Sequence, residues 1–239
     1  MVVIGFSAII FCFKEQTFKI LLAPKNSDFI TYIFIERIMR IFDTGFVFPL
    51  FNTSIISTEL SSQFMTHITS SMFLGFLLAS PYILFELFRF ISPALYENER
   101  KISIPITLSI YILFIIGVIV SYFILFPISF RFLSTYQVNS EVINTITLDS
   151  YISTFCTLTL VMGLVFQLPV FAYSLGKLHL VDSKTLRHYR QYALIIILII
   201  SAIITPPDIF TLILVSLPIY GLYEISINII KRIEKNEVS

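Results

Sequence analysis

Four runs of this chain, residues 65–90, 102–126, 151–175 and 209–230, stay apolar over the length that a helix needs to cross a bilayer. A helix rises about 1.5 Å per residue against a hydrocarbon core of roughly 30 Å, so about 20 apolar residues make one crossing. The runs do not alternate apolar and polar residues, which excludes the short strands of a membrane barrel. Backbone groups in lipid must be paired within their own segment, so the runs are expected to be helices. Composition agrees: 56% of the residues are hydrophobic and 13% charged, where a soluble domain has about a quarter charged. The expected fold class is all-α, a polytopic membrane protein in a single domain over 1–239.

Two shorter spans complete the pattern. The first is expected over about 1–22, apolar as far as Phe13 before Lys14, Glu15 and Lys19 appear; Ala23-Pro24 ends it. The fifth runs over 192–205 and stops at Pro206-Pro207-Asp208, because two prolines cannot continue a helix. Pro127 is expected to end the third span. The connection 25–63 carries Glu36, Arg37, Arg40 and Asp43 among apolar residues, the pattern of an external amphipathic helix lying in the interface. Residues 231–239 form a charged tail. Lys and Arg set orientation. Arg89, Arg100, Lys101, Lys177, Lys184, Arg187, Arg190, Lys231, Arg232 and Lys235 collect on one face, with only Arg131 opposite when the long first connection is set aside. Six spans with both ends on the cation-rich face are self-consistent.

On that face lies FISPALYENERK, Phe90 to Lys101. Pro93 halts the preceding span and Tyr96 suits the interface, which leaves Glu97 and Glu99 facing water. Two readings fit: acids paired with the adjacent Arg100 and Lys101, or a reading head for guanidinium groups, which carboxylates bind through forked, charge-assisted hydrogen bonds. Gln167, beside the helix-weakening Pro169 in the fourth span, needs a partner at mid-membrane, either another helix of the fold or an incoming chain. Asp208 caps a helix start or serves a site. Glu86 and Arg89 read as snorkelling or as a local pair, Tyr122, Pro218 and Glu224 as packing, kink and interface residues, and Cys12 and Cys156 as buried thiols. Catalysis finds no support: there is no Gly-rich phosphate loop, and His67, His179 and His188 sit near span ends rather than facing across span centres. No metal, cofactor or nucleic acid is expected, and the net charge of +1 says nothing about partners.

FISPALYENERK after a span, Gln167-Leu168-Pro169, and TPPDIF followed by SLPIYGLYEI resemble, in this order and spacing, the TatC family, the receptor subunits of the twin-arginine protein translocase. The resemblance covers about Ala23 to Lys231 apart from the first connection. It implies a concave, glove-like bundle of six helices with short fifth and sixth spans. It also implies a transport protein rather than an enzyme, which binds twin-arginine signal peptides of folded cargo, recruits single-span partners of the TatA and TatB type, forms homo-oligomers and is driven by the proton-motive force. Glu99 matches the family's signal-recognition glutamate, with Phe90, Pro93, Leu95, Tyr96 and Arg100 as its motif neighbours and Glu97 beside it. Gln167 takes the place of a membrane-embedded Glu, Thr205 and Asp208 match positions where the small partners dock, and Pro24 matches a proline of the first outer loop. An ion-coupled transporter would instead show inverted repeats and broken helices around a midplane site. A structural subunit of a respiratory complex is the remaining alternative.

The family's second recognition Glu, in an amino-terminal HLxELR-like segment, has no counterpart here, and with the short first span this leads to the expectation that the native start lies upstream of Met1. The 25 Phe, abundant Ile and absent Trp suggest an AT-rich genome. Together with the bacterial-type TPPD they suggest a mitochondrially encoded member in the inner membrane, with a bacterial plasma membrane or a thylakoid membrane as the alternative.

Overall fold

The computed structural model describes residues 1–42, 54–91, 103–137, 139, 145–178 and 180–238. Helices follow one another in the order α1 (Val2–Cys12), α2 (Lys14–Leu21), α3 (Ile30–Phe42), α4 (Ser62–Ile91), α5 (Ser103–Val120), α6 (Phe126–Thr135), α7 (Leu148–Val165), α8 (Leu168–Lys177), α9 (Ser183–His188), α10 (Arg190–Ile204) and α11 (Ile209–Val238). A two-residue parallel pairing joins β1 (Ile55–Ile56) to β2 (Ile146–Thr147), with Ile55 opposite Ile146. The protein is therefore all-α in substance. Among the described residues the stretches Leu108–Thr135, Leu148–Lys177 and Ile209–Lys235 are long and apolar enough to cross a membrane, and α1 and α10 are shorter apolar helices. With the 30-residue α4 they supply the six passes. Ile203, Ile209 and Leu217 are 79%, 78% and 71% exposed. Such apolar exposure marks a docking face or an aggregation hazard in water and is the ordinary lipid-facing surface in a bilayer.

The chain divides into two compact units, Met1–Ala79 with Ile119–Thr159, and Ser80–Val118 with Leu160–Ser239. In the first, Phe126 meets Tyr151 and Phe155 edge-on at 5.0 Å, and Phe130 meets Tyr151 in the same way. α1 crosses α4 at close range through Gly75, where an added Cβ would fall 2.2 Å from Ser7 Oγ and 2.7 Å from its backbone nitrogen. Small residues let membrane helices approach in this way when hydrophobic burial offers no drive between them.

The third span does not end at Pro127, contrary to the sequence reading. A five-residue π turn, Ser121–Leu125, leads directly into α6, whose first turn holds the proline. Proline removes the hydrogen bond to the carbonyl four residues back, here Phe123. That carbonyl instead accepts the Thr31 hydroxyl of α3, while the Pro127 carbonyl accepts the Tyr32 hydroxyl at 2.9 Å. A proline inside a span is tolerated when hydroxyls and a local π adjustment satisfy the freed backbone, and α3 supplies those hydroxyls.

In the second unit α8 and α10 pack on α11, whose Val215, Ile219, Leu222, Ile227, Ile230 and Ile233 are buried. Gly176 lets α8 sit against Ile230 and Ile233. α5 meets the end of α7 through two glycines: a Cβ on Gly117 would stand 2.6 Å from the Met162 carbonyl oxygen, and one on Gly163 2.7 Å from the Phe114 ring.

Candidate functional site

Of the residues matched to signal-peptide recognition, Phe90 falls in the last turn of α4. Pro93, Leu95, Tyr96, Glu97, Glu99 and Arg100 lie outside the described residues. The basic loop of the same face is described and is built on α11. Glu234 accepts both the Ser183 backbone N–H at 2.6 Å and its hydroxyl at 2.5 Å, fixing the start of α9. Tyr223 donates its hydroxyl to the Leu186 carbonyl at 2.7 Å. Arg190 pairs with Glu224 at 2.7 Å, and Tyr220 donates to the other oxygen of that carboxylate at 3.2 Å. Lys184 and Arg187 are exposed on this anchored loop, which keeps positive charge at a fixed place on the face. Glu224 thus holds the loop, a role that composition and position alone had left as a generic interface residue.

Gln167 sits where α7 breaks into α8, and Pro169, in the first turn of α8, keeps one continuous helix from forming. Its side chain is 4% exposed. The Nε2 amide donates to the Gly163 carbonyl at 3.3 Å, one turn back, and not to another helix. Among the described residues the buried Oε1 has no hydrogen-bond partner. A buried acceptor left unpaired costs about 1–3 kcal/mol.

Thr205 and Asp208 come together in the turn between α10 and α11. Thr205 is buried and donates its hydroxyl to the Ser201 carbonyl at 2.8 Å. Asp208 caps α11: one carboxylate oxygen accepts the Thr211 N–H at 2.7 Å and the other accepts the Thr211 hydroxyl. The carboxylate at this helix start also opposes the positive end of the helix dipole. Pro24 is buried in a short 3-10 turn after α2. Its carbonyl accepts Tyr32 Oη at 3.0 Å, so one hydroxyl is shared between the carbonyls of Pro24 and Pro127. Tyr151 donates to the Leu21 carbonyl at 2.9 Å and Tyr122 to the Ile20 carbonyl at 2.8 Å, which holds the end of α2. Arg131 stands over the Tyr32 ring at 5.2 Å. Burial raises the Tyr32 phenol above its ordinary range, with Arg131 opposing in part, so it remains a donor at any physiological pH. Sequence pattern alone gives Thr31, Tyr32 and Tyr151 no such role. The signal available was a Tyr on an amphipathic helix, since a buried phenol needs a partner. His67 is buried and stacked on Phe11 at 4.1 Å. Among the described residues no group of His, Cys, Asp and Glu is placed to hold a metal.

The chain is similar to known proteins in both sequence and structure. The model of the family "TatC: Sec-independent protein translocase protein (TatC)" matches residues 1–218. The Sec-independent protein translocase protein TatC of Blattabacterium sp. subsp. Periplaneta americana is 38% identical over 213 residues, 88% of this chain and 80% of that protein. The TatC protein of Escherichia coli K12 is 33% identical over 175 residues, 73% of this chain and 67% of that protein. A crystal structure of the twin-arginine translocase receptor TatC superposes with a TM-score of 0.77 at 31% identity, covering 96% of this chain and 92% of the other.

Proposed function

The chain belongs to the TatC family of Sec-independent protein translocase proteins, and on that premise we propose that it is the twin-arginine signal-peptide receptor of its translocase. The observation that carries this is the acid pair Glu97 and Glu99, set by FISPALYENERK on a face otherwise rich in cations. Two adjacent arginines present a compact double charge, and a carboxylate at a membrane face reaches them without either partner entering lipid. Glu99 takes one guanidinium, with Phe90, Pro93, Leu95, Tyr96 and Arg100 as its neighbours in the motif. In direct binding of a twin-arginine peptide to the reconstituted protein, Glu99→Gln is expected to lower affinity about 10- to 100-fold, the weight of one or two charge-assisted hydrogen bonds. Unchanged affinity with an intact fold rejects the assignment.

Gln167, Thr205 and Asp208 are the proposed region for single-span partners of the TatA and TatB type. The unpaired Oε1 of Gln167 supports this, because an entering helix with a hydroxyl or amide donor satisfies it. Several copies assemble in the working complex. The chain moves folded cargo using the proton-motive force and hydrolyses nothing itself. The Phe- and Ile-rich composition supports the mitochondrial inner membrane as its setting, whereas the bacterial sources of the relatives support a plasma membrane.

A further inference from the structure

α5, α8 and α11 enclose a half-open groove of about 720 Å³ within the second unit. Its walls are almost wholly apolar, formed among others by Leu113, Phe166, Pro169, Tyr173, Ile225 and Ile229. The groove runs toward the cation-rich face. On α8 the lining residue Tyr173 is followed one turn later, on the same side of the helix, by Lys177. On α11 the lining residue Ile229 is followed three residues later by the exposed Arg232. At about 1.5 Å per residue these cations stand some 4–6 Å beyond the groove along their helices.

We propose that this groove holds one acyl chain of an anionic phospholipid, with the phosphate against Lys177 and Arg232. The chain alone explains no selectivity, because moving it from bilayer to groove exchanges one apolar surrounding for another. Charge supplies the selectivity. Basic residues between membrane helices at the cation-rich side attract anionic headgroups, and guanidinium and ammonium groups both bind phosphate through charge-assisted hydrogen bonds. Tyr173, between the apolar wall and Lys177, has the amphipathic ring that suits the headgroup level. The occupant is thus a lipid of the leaflet on the cation-rich side.

The test uses the full chain in nanodiscs of equal phosphatidylglycerol and phosphatidylcholine, followed by mild extraction and native mass spectrometry of retained lipid. The wild type is expected to retain phosphatidylglycerol on the order of tenfold over phosphatidylcholine, as two cations near a headgroup imply. Lys177→Gln with Arg232→Gln, both outside the packed interior, is expected to bring that preference close to one. Ile225→Trp, which fills the groove, is expected to lower retention of both lipids, and Val170→Phe does the same from α8. Equal retention of the two lipids by the wild type overturns the proposal, as does a preference that survives the double substitution. A photo-crosslinker at position 225 that captures a polypeptide in the membrane, rather than lipid, also overturns it.

Discussion

Gln167 buries both ends of its carboxamide, and among the described residues only one of them is hydrogen-bonded. Its replacement by Leu removes an unpaired acceptor together with one neutral hydrogen bond, and these terms nearly cancel. Gln167→Leu is therefore expected to keep the melting temperature of the purified protein within about 2 °C, since 1 kcal/mol shifts a domain of this size by about 2–4 °C. It is also expected to lose co-purification of a single-span partner. A lowered melting temperature with normal partner recovery contradicts the docking role. Asp208 separates structure from function in a similar way. Asn caps a helix start about as well as Asp, whereas Ala costs about 1 kcal/mol. Asp208→Asn should therefore hold stability while Asp208→Ala lowers it, as thermal unfolding in detergent will show. If export falls with the Asn variant, the carboxylate serves more than the cap. At Thr31, Val keeps the shape but leaves the Phe123 carbonyl without its hydroxyl donor. The expected loss is about 1–3 kcal/mol, with Thr31→Ser close to wild type; equal stability of the Val and Ser variants removes the proposed repair of the proline gap.

At the scale of elements, periodicity and punctuation were enough to place helices, but not to say how they continue. The break at Gln167-Leu168-Pro169 and the turn at Thr205–Asp208 were legible because proline acts locally, within four residues of itself. The run of α6 beyond Pro127 was not legible, because what permits it comes from Thr31 and Tyr32, 92 and 95 residues away along the chain. A hydrogen bond over that separation leaves no mark on local pattern. The same holds for Tyr151 and the Leu21 carbonyl. Glycine was similarly silent in sequence. Gly117 meets the Met162 carbonyl oxygen of the facing helix, an atom of the backbone that has no rotamer to move. Gly117→Leu is expected to push α5 from α7 and cost about 1–3 kcal/mol through overpacking, read as a drop in thermal stability. No drop means that the crossing is looser than its geometry indicates.

For the whole molecule, the all-α membrane class was legible because lipid leaves a chain few alternatives, and the TatC family was legible in the order of three motifs rather than in any one of them. The partners' chemistry was legible only in part. The charged loop names acids and a face, and the fold adds an anchored basic loop whose Glu234, Tyr223 and Glu224 contacts hold cations on that face. On the proposed reading an acid in a cation-rich stretch of sequence recognises the double arginine, and Glu99 is the residue on which that reading turns. The most direct measurement is site-specific photo-crosslinking from position 99 to a twin-arginine precursor in native membranes, beside a control precursor with both arginines changed to lysine. The expected result is a crosslink to the twin-arginine precursor that the lysine control loses. An equal crosslink to both precursors, or none to either while export continues, contradicts the account.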